Sequence, residues 1–323
     1  MLVLGGTGTI GRATVRALVS REHEVVCLVR DKPDTSRPKG DITLTLPGAT
    51  LRVCDVTDPT SLARGGFRGE KFDVLVSCLA SRTGAPRDAW AIDYQAHVNA
   101  LDLAKEAGVK RFVLLSAICV QKPKLAFQHA KLAFEEMLTT SGVDYTIVRP
   151  TAYFKSLSGQ VSRVKDGRPF LLFGDGKRTA CKPISDDDLA NYLADCVDND
   201  ERRNRVLPVG GPGEAMTPMA QGEMLFALLG RAPRFTRVPV ALLDVVIAIL
   251  AALGRVSPTL AAKAELARIG RYYATESMLV LDPATGRYDA EATPSAGSDT
   301  LRDHYARLIR GDAKAERGDH TVF

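Results

Sequence analysis

The sequence predicts an α/β fold: a doubly wound parallel sheet carrying a smaller, mostly helical C-terminal lobe. Three observations carry that prediction. Short β-branched runs alternate with longer helical stretches through residues 1–150. A glycine-rich turn, Gly5-Gly6-Thr7-Gly8-Thr9-Ile10-Gly11, stands between the first such run and the first helical stretch. After Pro150 the alternation stops and longer helical segments take over.

The runs LVL, EVVCLV, TLRVC, FDVLVSC, RFVLLSA and YTIVRP read as six strands. Residues 11–20, 93–107 and 130–141 have helical length and apolar spacing. Strands joined by crossover helices form βαβ units, which require a parallel sheet with helices on both faces. Residues 31–41 and 311–323, rich in Pro, Lys, Ser, Gly or charge, read as loose segments. In the run Ile184-Ser185-Asp186-Asp187-Asp188-Leu189, a Ser followed three residues later by an acid predicts a capped helix reaching about Val197. Its carboxylates read as helix-starting groups rather than catalytic ones. The expected division is a nucleotide-binding domain over residues 1–150, to which residues 184–212 return. A substrate lobe over residues 151–323 then includes two long helical segments and a Gly/Pro/Thr-rich stretch at 282–299.

With 323 residues the chain can bury a sizeable core, and 45% hydrophobic with 25% charged residues is ordinary for a soluble globular protein. A net charge of +5 without a long Lys/Arg block argues against nucleic acid and suits an anionic small molecule. The six cysteines, Cys27, Cys54, Cys78, Cys119, Cys181 and Cys196, show no C-x-x-C pair or zinc-like spacing, so no metal site is expected. Met1 to Leu4 run straight into the glycine turn, with no charged region or cleavage site for export, so the expected location is the cytoplasm. Residues 240–253 are strongly apolar but too short to span a bilayer and contain Asp244. They read as a buried or surface-dipping helix, which leaves peripheral membrane contact open.

Glycine spacing in the first turn has a mechanical reading. Gly6 permits the tight turn, Gly8 lets the backbone approach a pyrophosphate, and Gly11 lets the helix pack close to the sheet. Gly5, Thr7, Thr9 and Ile10 complete the loop. The second strand ends Val29-Arg30, where an NAD-selective protein usually presents an acid. Arg30 instead offers a planar cation to a 2′-phosphate, which favours NADPH, with Lys32 assisting; Asp31 is the competing acid. Asp55 and Val56, ending the third strand, are expected near the adenine, although Asp55 equally suits a turn-capping role. Cys78, Leu79 and Ala80 end the fourth strand, where small residues let the backbone lie along the cofactor.

The fifth strand ends Leu115-Ser116-Ala117, and the next helix carries Phe127-Gln128-His129-Ala130-Lys131. This edge resembles that of short-chain dehydrogenases. By that resemblance Ser116 and Lys131 match the family's Ser and Lys, and Lys131 would also hold the nicotinamide ribose. The family's catalytic tyrosine position is Phe127. A phenyl ring transfers no proton, so reduction of an activated carbon-carbon double bond fits better than interconversion of alcohol and carbonyl. His129, two residues from Lys131 on a helix, faces elsewhere and is not expected to be catalytic.

Longer strings narrow the resemblance: LLSAICVQKP, AFQHAKLAFE, VRPTAYFKSLSGQVSRVKDGRPFLLFGDG and ATESMLVLDPATGRYDAEATPSAGSDTL. Together they resemble the NADPH-dependent divinyl chlorophyllide a 8-vinyl-reductases of chlorophyll and bacteriochlorophyll synthesis. The resemblance implies a magnesium chlorin or protochlorin substrate whose 8-vinyl group becomes ethyl, and a protein working in the cytoplasm or against photosynthetic membranes. Hydride at the vinyl terminus leaves charge delocalised into the macrocycle, and protonation then gives ethyl. Lys131 is the first candidate for positioning and proton supply, with Tyr153 and Lys155 as alternatives. Phe127, Tyr153, Phe154 and Lys155 are expected against the substrate, and Tyr153 and Phe154 equally suit a core. The apolar segments over residues 238–271 suit a flat hydrophobic pigment, as they suit plain helix packing; Arg178, Arg268 and Arg271 are open as carboxylate partners. Two other functions remain: a non-catalytic NADP(H)-sensing regulator resembling the NmrA-like proteins, and a reductase of another conjugated enone.

Overall fold

The computed structural model of the chain describes residues 1–30 and 46–312. Through the first half, β1 (Leu2–Leu4), α1 (Thr9–Ser20), β2 (Val25–Val29), β3 (Ala49–Val53), β4 (Val74–Ser77), α2 (Ala96–Glu106), β5 (Arg111–Leu115), α3 (Ala126–Thr139) and β6 (Asp144–Pro150) follow one another. The second half carries β7 (Phe170–Phe173), α4 (Asp186–Asp198), β8 (Arg205–Val209), α5 (Pro218–Leu228), β9 (Phe235–Val238), α6 (Val240–Gly254), α7 (Pro258–Thr275), β10 (Val280–Leu281), β11 (Tyr288–Asp289) and α8 (Leu301–Arg310). All six expected strands form. The loose segment expected at 31–41 lies outside the described residues, as do Asp31, Lys32 and most of the expected tail.

Seven strands form one parallel sheet in the order β3-β2-β1-β4-β5-β6-β8. The order reverses between β1 and β4, and the crevice at such a switch point is where ligands bind in open α/β sheets. Every residue of β1 and β5 is buried, as a sheet covered on both faces requires. On one face Ile10, Ala13, Val15 and Leu18 of α1 pack with Leu189, Ala190, Leu193 and Ala194 of α4. On the other, Ala100, Leu101 and Ala104 of α2 pack with Phe134 and Leu138 of α3 and with Phe112 of β5. Each fully buried Leu or Phe stabilises such a layer by about 1.5–3 kcal/mol.

Helical structure starts earlier than the apolar periodicity indicates ahead of both α3 and α2. The α3 helix begins at Ala126 because the Gln128 side chain turns back to accept from the Lys124 and Leu125 amides, at 2.7 and 3.0 Å. Ahead of α2, a widened π-helical turn over Trp90–Gln95 turns Asp93 into the interior. At α4, Ser185 caps the helix by accepting from the Asp188 amide at 3.0 Å.

The C-terminal part is mainly helical and has its own core of Phe154, Val164, Leu172, Phe226, Tyr305 and Leu308. The small β7–β9 and β10–β11 pairs supplement it. Its α6 helix has no buried residue: Leu242, Val245, Ile249 and Leu253 are each about half exposed.

Candidate active site

The glycine turn forms a cradle whose dimensions admit no side chains. Gly5 has a φ of +71°, and a Cβ there would lie 2.7 Å from the Cys78 carbonyl carbon. A Cβ on Gly11 would stand 2.2 Å from the Gly5 carbonyl oxygen. Gly8 differs: its Cβ would meet only the Gly5 oxygen at 3.3 Å, so its outer side opens onto free space. No side chain caps the N-terminus of α1, where backbone amides and the helix dipole favour an anion. A bare backbone, an open side at Gly8 and an uncapped helix end fit a dinucleotide pyrophosphate.

At the far end of that cradle, Arg30 and Val29 end β2 while Asp55 follows β3. Asp55 accepts from the Thr57 amide and hydroxyl at 2.9 and 2.6 Å. Those bonds and the field of Arg30 hold its carboxyl below the usual range. Asp55 thus performs the turn-capping role, and Val56 behind it is buried. Cys78, at the end of β4, donates its amide to Leu4 and lies directly against Gly5, with Leu79 beside it and Ala80 exposed.

The catalytic edge differs from expectation at three positions. Ser116 is buried and its hydroxyl donates to Glu135 of α3, which is itself ion-paired with Arg149, so Ser116 points away from the crevice. It sits one residue past β5 with its amide bonded to Val148, a position that faces the helix layer. Phe127 is buried among Ile118, Cys119, Leu125, Ile269, Tyr272 and Met278, so it joins the first half to α7. Phe154 is 3% exposed, enclosed in the C-terminal core with its ring 5.3 Å from His304. It is a core aromatic, not a substrate platform, because the residue after Tyr153 starts a short helix and turns inward.

Lys131 is where the site converges. Its ammonium is buried and lies 3.0 Å from Asp93 Oδ1, which also accepts from the Ser81 amide at 3.3 Å. Asp93 Oδ2 has no partner and is wholly buried. Behind this pair, His97 bonds Ser77 at 2.8 Å and the Ile92 carbonyl at 3.0 Å. Burial and the Lys131 charge pull His97 down from 6.5 to about 4, so it is neutral at physiological pH and no general acid. Asp93 escaped the sequence reading; an acid on the helix after β4 was the available signal.

Tyr153 stands beside Cys78 and Cys119 at the carboxyl ends of the strands, and burial raises its pKa. Lys155 reaches 2.7 Å from the Thr9 hydroxyl, on the first turn of α1 beside the glycine turn. Arg271 is paired with Asp244, and Arg268 with Glu265 at 2.9 Å. The late segment closes the site: Glu276 holds Lys122 at 2.7 Å, Lys124 at 2.5 Å and the Tyr288 hydroxyl at 2.8 Å. Among the described residues no group of three or more His, Cys, Asp or Glu could hold a metal ion, and all six cysteines are free.

Sheet order, glycine cradle and buried lysine define a dinucleotide-binding α/β protein of the Rossmann type. A family model described as NAD(P)H-binding matches residues 5–200. The chain is 51% identical over 330 residues to the chloroplastic divinyl chlorophyllide a 8-vinyl-reductase of Arabidopsis thaliana, covering 99% of this chain and 79% of that one. It is 50% identical over 331 residues to the counterpart from Oryza sativa subsp. indica, covering 100% and 82%. The chain belongs to the divinyl chlorophyllide a 8-vinyl-reductase family. Its fold is also that of an NADPH-dependent quinone oxidoreductase from Escherichia coli solved with NADPH, at a TM-score of 0.69, 19% identity and coverage of 95% and 99%.

Proposed function

We propose that this chain reduces the 8-vinyl group of a divinyl chlorophyllide or protochlorophyllide a to ethyl, using NADPH. The observation that carries this reading is the half-identical match over 99% of this chain to an 8-vinyl-reductase, set on a site that keeps Lys131 and has Phe127 where an alcohol dehydrogenase needs tyrosine. Bound at the glycine cradle, NADPH supplies the hydride. The residues of the chain hold and screen the reaction. Backbone amides at the start of α1 bind the pyrophosphate, and Lys155 beside Thr9 adds a cation there. Lys131, fixed by Asp93, positions the nicotinamide ribose. Tyr153 and Cys78, both partly exposed, stand at the strand ends, and the Lys122–Glu276–Tyr288 cluster keeps the late segment over the β5–α3 loop.

NADPH consumption that depends on added divinyl pigment tests the reading. A protein that binds NADPH tightly but consumes none with any pigment or enone is a sensor instead.

Arg30 is exposed at the end of β2 within the field of Asp55, placed to pair with a 2′-phosphate. Arg30→Ala is expected to lower the preference for NADPH over NADH by roughly 10–100-fold, the loss of one charge-assisted pair of about 1.5–3 kcal/mol. Equal preference ratios before and after substitution, by fluorescence titration, contradict the assignment.

Among the described residues, no helix is long and apolar enough to cross a membrane. The exposed face of α6 is nevertheless suited to lie on one. Its single charge, Asp244, is neutralised by Arg271, and Arg237 and Arg255 stand exposed at its two ends. Co-sedimentation with anionic liposomes is expected, and Leu242→Glu combined with Ile249→Glu is expected to abolish it. Unchanged sedimentation of the double variant removes α6 as the contact.

A further inference from the structure

The segment after β6 carries a lysine whose backbone is fastened to one half of the molecule and whose ammonium rests on the other. Past Pro150 the chain runs beside Ile184: the Phe154 amide donates to the Ile184 carbonyl at 3.1 Å, and the Ile184 amide to the Ala152 carbonyl at 3.0 Å. A short helix over Phe154–Leu157 follows. It is held to the C-terminal core at successive residues. Phe154 is buried there with Val164, Leu172, Phe226 and Tyr305. The Tyr305 hydroxyl donates to the Leu157 carbonyl at 2.7 Å, and Ser158 meets His304 at 3.1 Å, both partners lying on α8.

Lys155 reaches out of this helix to the nucleotide-binding half. Its ammonium donates to the Thr9 hydroxyl at 2.7 Å, across 146 residues of sequence. Thr9 opens α1, whose N-terminus carries no side-chain cap and follows Gly8 directly. A cation at the positive end of a helix reverses the favourable arrangement of charge and dipole. Holding a long side chain in one rotamer also costs entropy, and a neutral hydroxyl offsets little of it. A phosphate seated on the amides there is attracted by the helix end and by the ammonium together, through charge-assisted hydrogen bonds.

We propose that Lys155 pairs with the cofactor's pyrophosphate and, through the short helix that bears it, makes the order of the C-terminal lobe depend on cofactor. The inference rests on NADP(H) lying in the glycine cradle and not on the identity of the pigment. Bound phosphate holds the Lys155 side chain, that side chain holds Phe154–Leu157, and the helix holds α8 through Tyr305 and His304. The lobe expected to take the substrate is then steadied once the hydride donor has arrived. Binding acquires an order, cofactor first and substrate second. Coupling of this kind is reciprocal, so an ordered lobe also tightens the hold on the cofactor.

Hydrogen exchange in residues 154–165 and 301–310 tests this without any pigment. Each protein is held at the same multiple of its own dissociation constant, so that the general stabilisation by a bound ligand is equal, with residues 111–115 of β5 reporting it. Beyond that general effect, NADP+ is expected to slow exchange in both segments of the parental protein by about 5–150-fold, the ordinary range of coupling between sites. 2′-Phospho-ADP-ribose, which keeps the pyrophosphate and lacks nicotinamide, should do the same. Adenosine 2′,5′-bisphosphate, which lacks the second phosphate of the pyrophosphate, should not. Lys155→Met should bind NADP+ roughly 10–100-fold more weakly, having lost one charge-assisted bond, and show no added protection in either segment. Lys155→Arg should restore the protection, and Arg30→Ala, which weakens the cofactor elsewhere, should retain it. Lobe exchange that ignores NADP+ in the parental protein overturns the proposal. So does equal protection in Lys155→Met, or protection by adenosine 2′,5′-bisphosphate that matches NADP+. A pigment left unreduced by the same protein counts against the substrate reading alone, since none of these measurements contains pigment.

Discussion

Gly11→Ala is expected to abolish measurable NADPH binding and to destabilise the protein. The added methyl would stand 2.2 Å from the Gly5 carbonyl oxygen and 2.8 Å from the Gly6 Cα, and both are backbone atoms that cannot rotate aside. Either α1 moves off the sheet or the turn opens. The first loses the packing of Ile10, Ala13 and Val15, and the second deforms the phosphate cradle. Overpacking of this kind costs roughly 1–3 kcal/mol in stability. A shift of about 1 Å in the amides loses several charge-assisted bonds at once, so an affinity loss of at least about 100-fold, near 2.7 kcal/mol, is expected. Isothermal titration with NADPH and a denaturant melt check both. Gly8→Ala is the control, because its methyl meets one backbone atom, the Gly5 oxygen, at 3.3 Å rather than 2.2 Å, and should weaken the cofactor with a smaller loss of stability. Equal stability losses at the two positions contradict this account.

The second large effect is at the buried pair. Lys131→Ala is expected to cut turnover by about 10²–10³-fold, since a misplaced nicotinamide misaligns the reacting atoms and about 1 Å of displacement can cost 10²-fold. It also leaves Asp93 as a buried carboxylate with neither oxygen facing a cation. Breaking a buried pair from one side costs about 3–5 kcal/mol. The double variant Lys131→Met, Asp93→Leu should therefore recover much of the stability while remaining inactive. Denaturant midpoints and single-turnover rates measured on both proteins separate the two roles. A Lys131→Ala protein with full turnover removes Lys131 from the site.

The sequence revealed the site unevenly, and the boundary has physical causes. Glycine spacing between a strand and a helix is a local signal, so the cradle from Gly5 to Gly11 was readable from its own residues. The strands of the first half were legible because their β-branched runs are continuous, and in β1 and β5 every residue is buried. Side-chain direction was not legible. Ser116 and Ala117 differ by one residue at the end of β5, which exchanges the two faces, and the hydroxyl lies under α3 against Glu135. Phe154 fell into the core because a short helix begins there. Asp93 was missed for a different reason. Its partner Lys131 lies 38 residues away along the chain, and no spacing rule connects groups that only tertiary packing brings together. The apolar α6 helix shows the converse limit, since its composition suits a core while its position leaves it on the surface.

The most direct test of the central claim is anaerobic incubation of the purified protein with NADPH and divinyl chlorophyllide a. A blue-shifted Soret band and a mass gain of two hydrogens on the pigment, one of them from the cofactor's labelled hydride position, is the predicted result. Unaltered pigment, with tight NADPH binding shown in the same preparation, would contradict the claim and leave a cofactor-sensing protein or a reductase of another conjugated substrate.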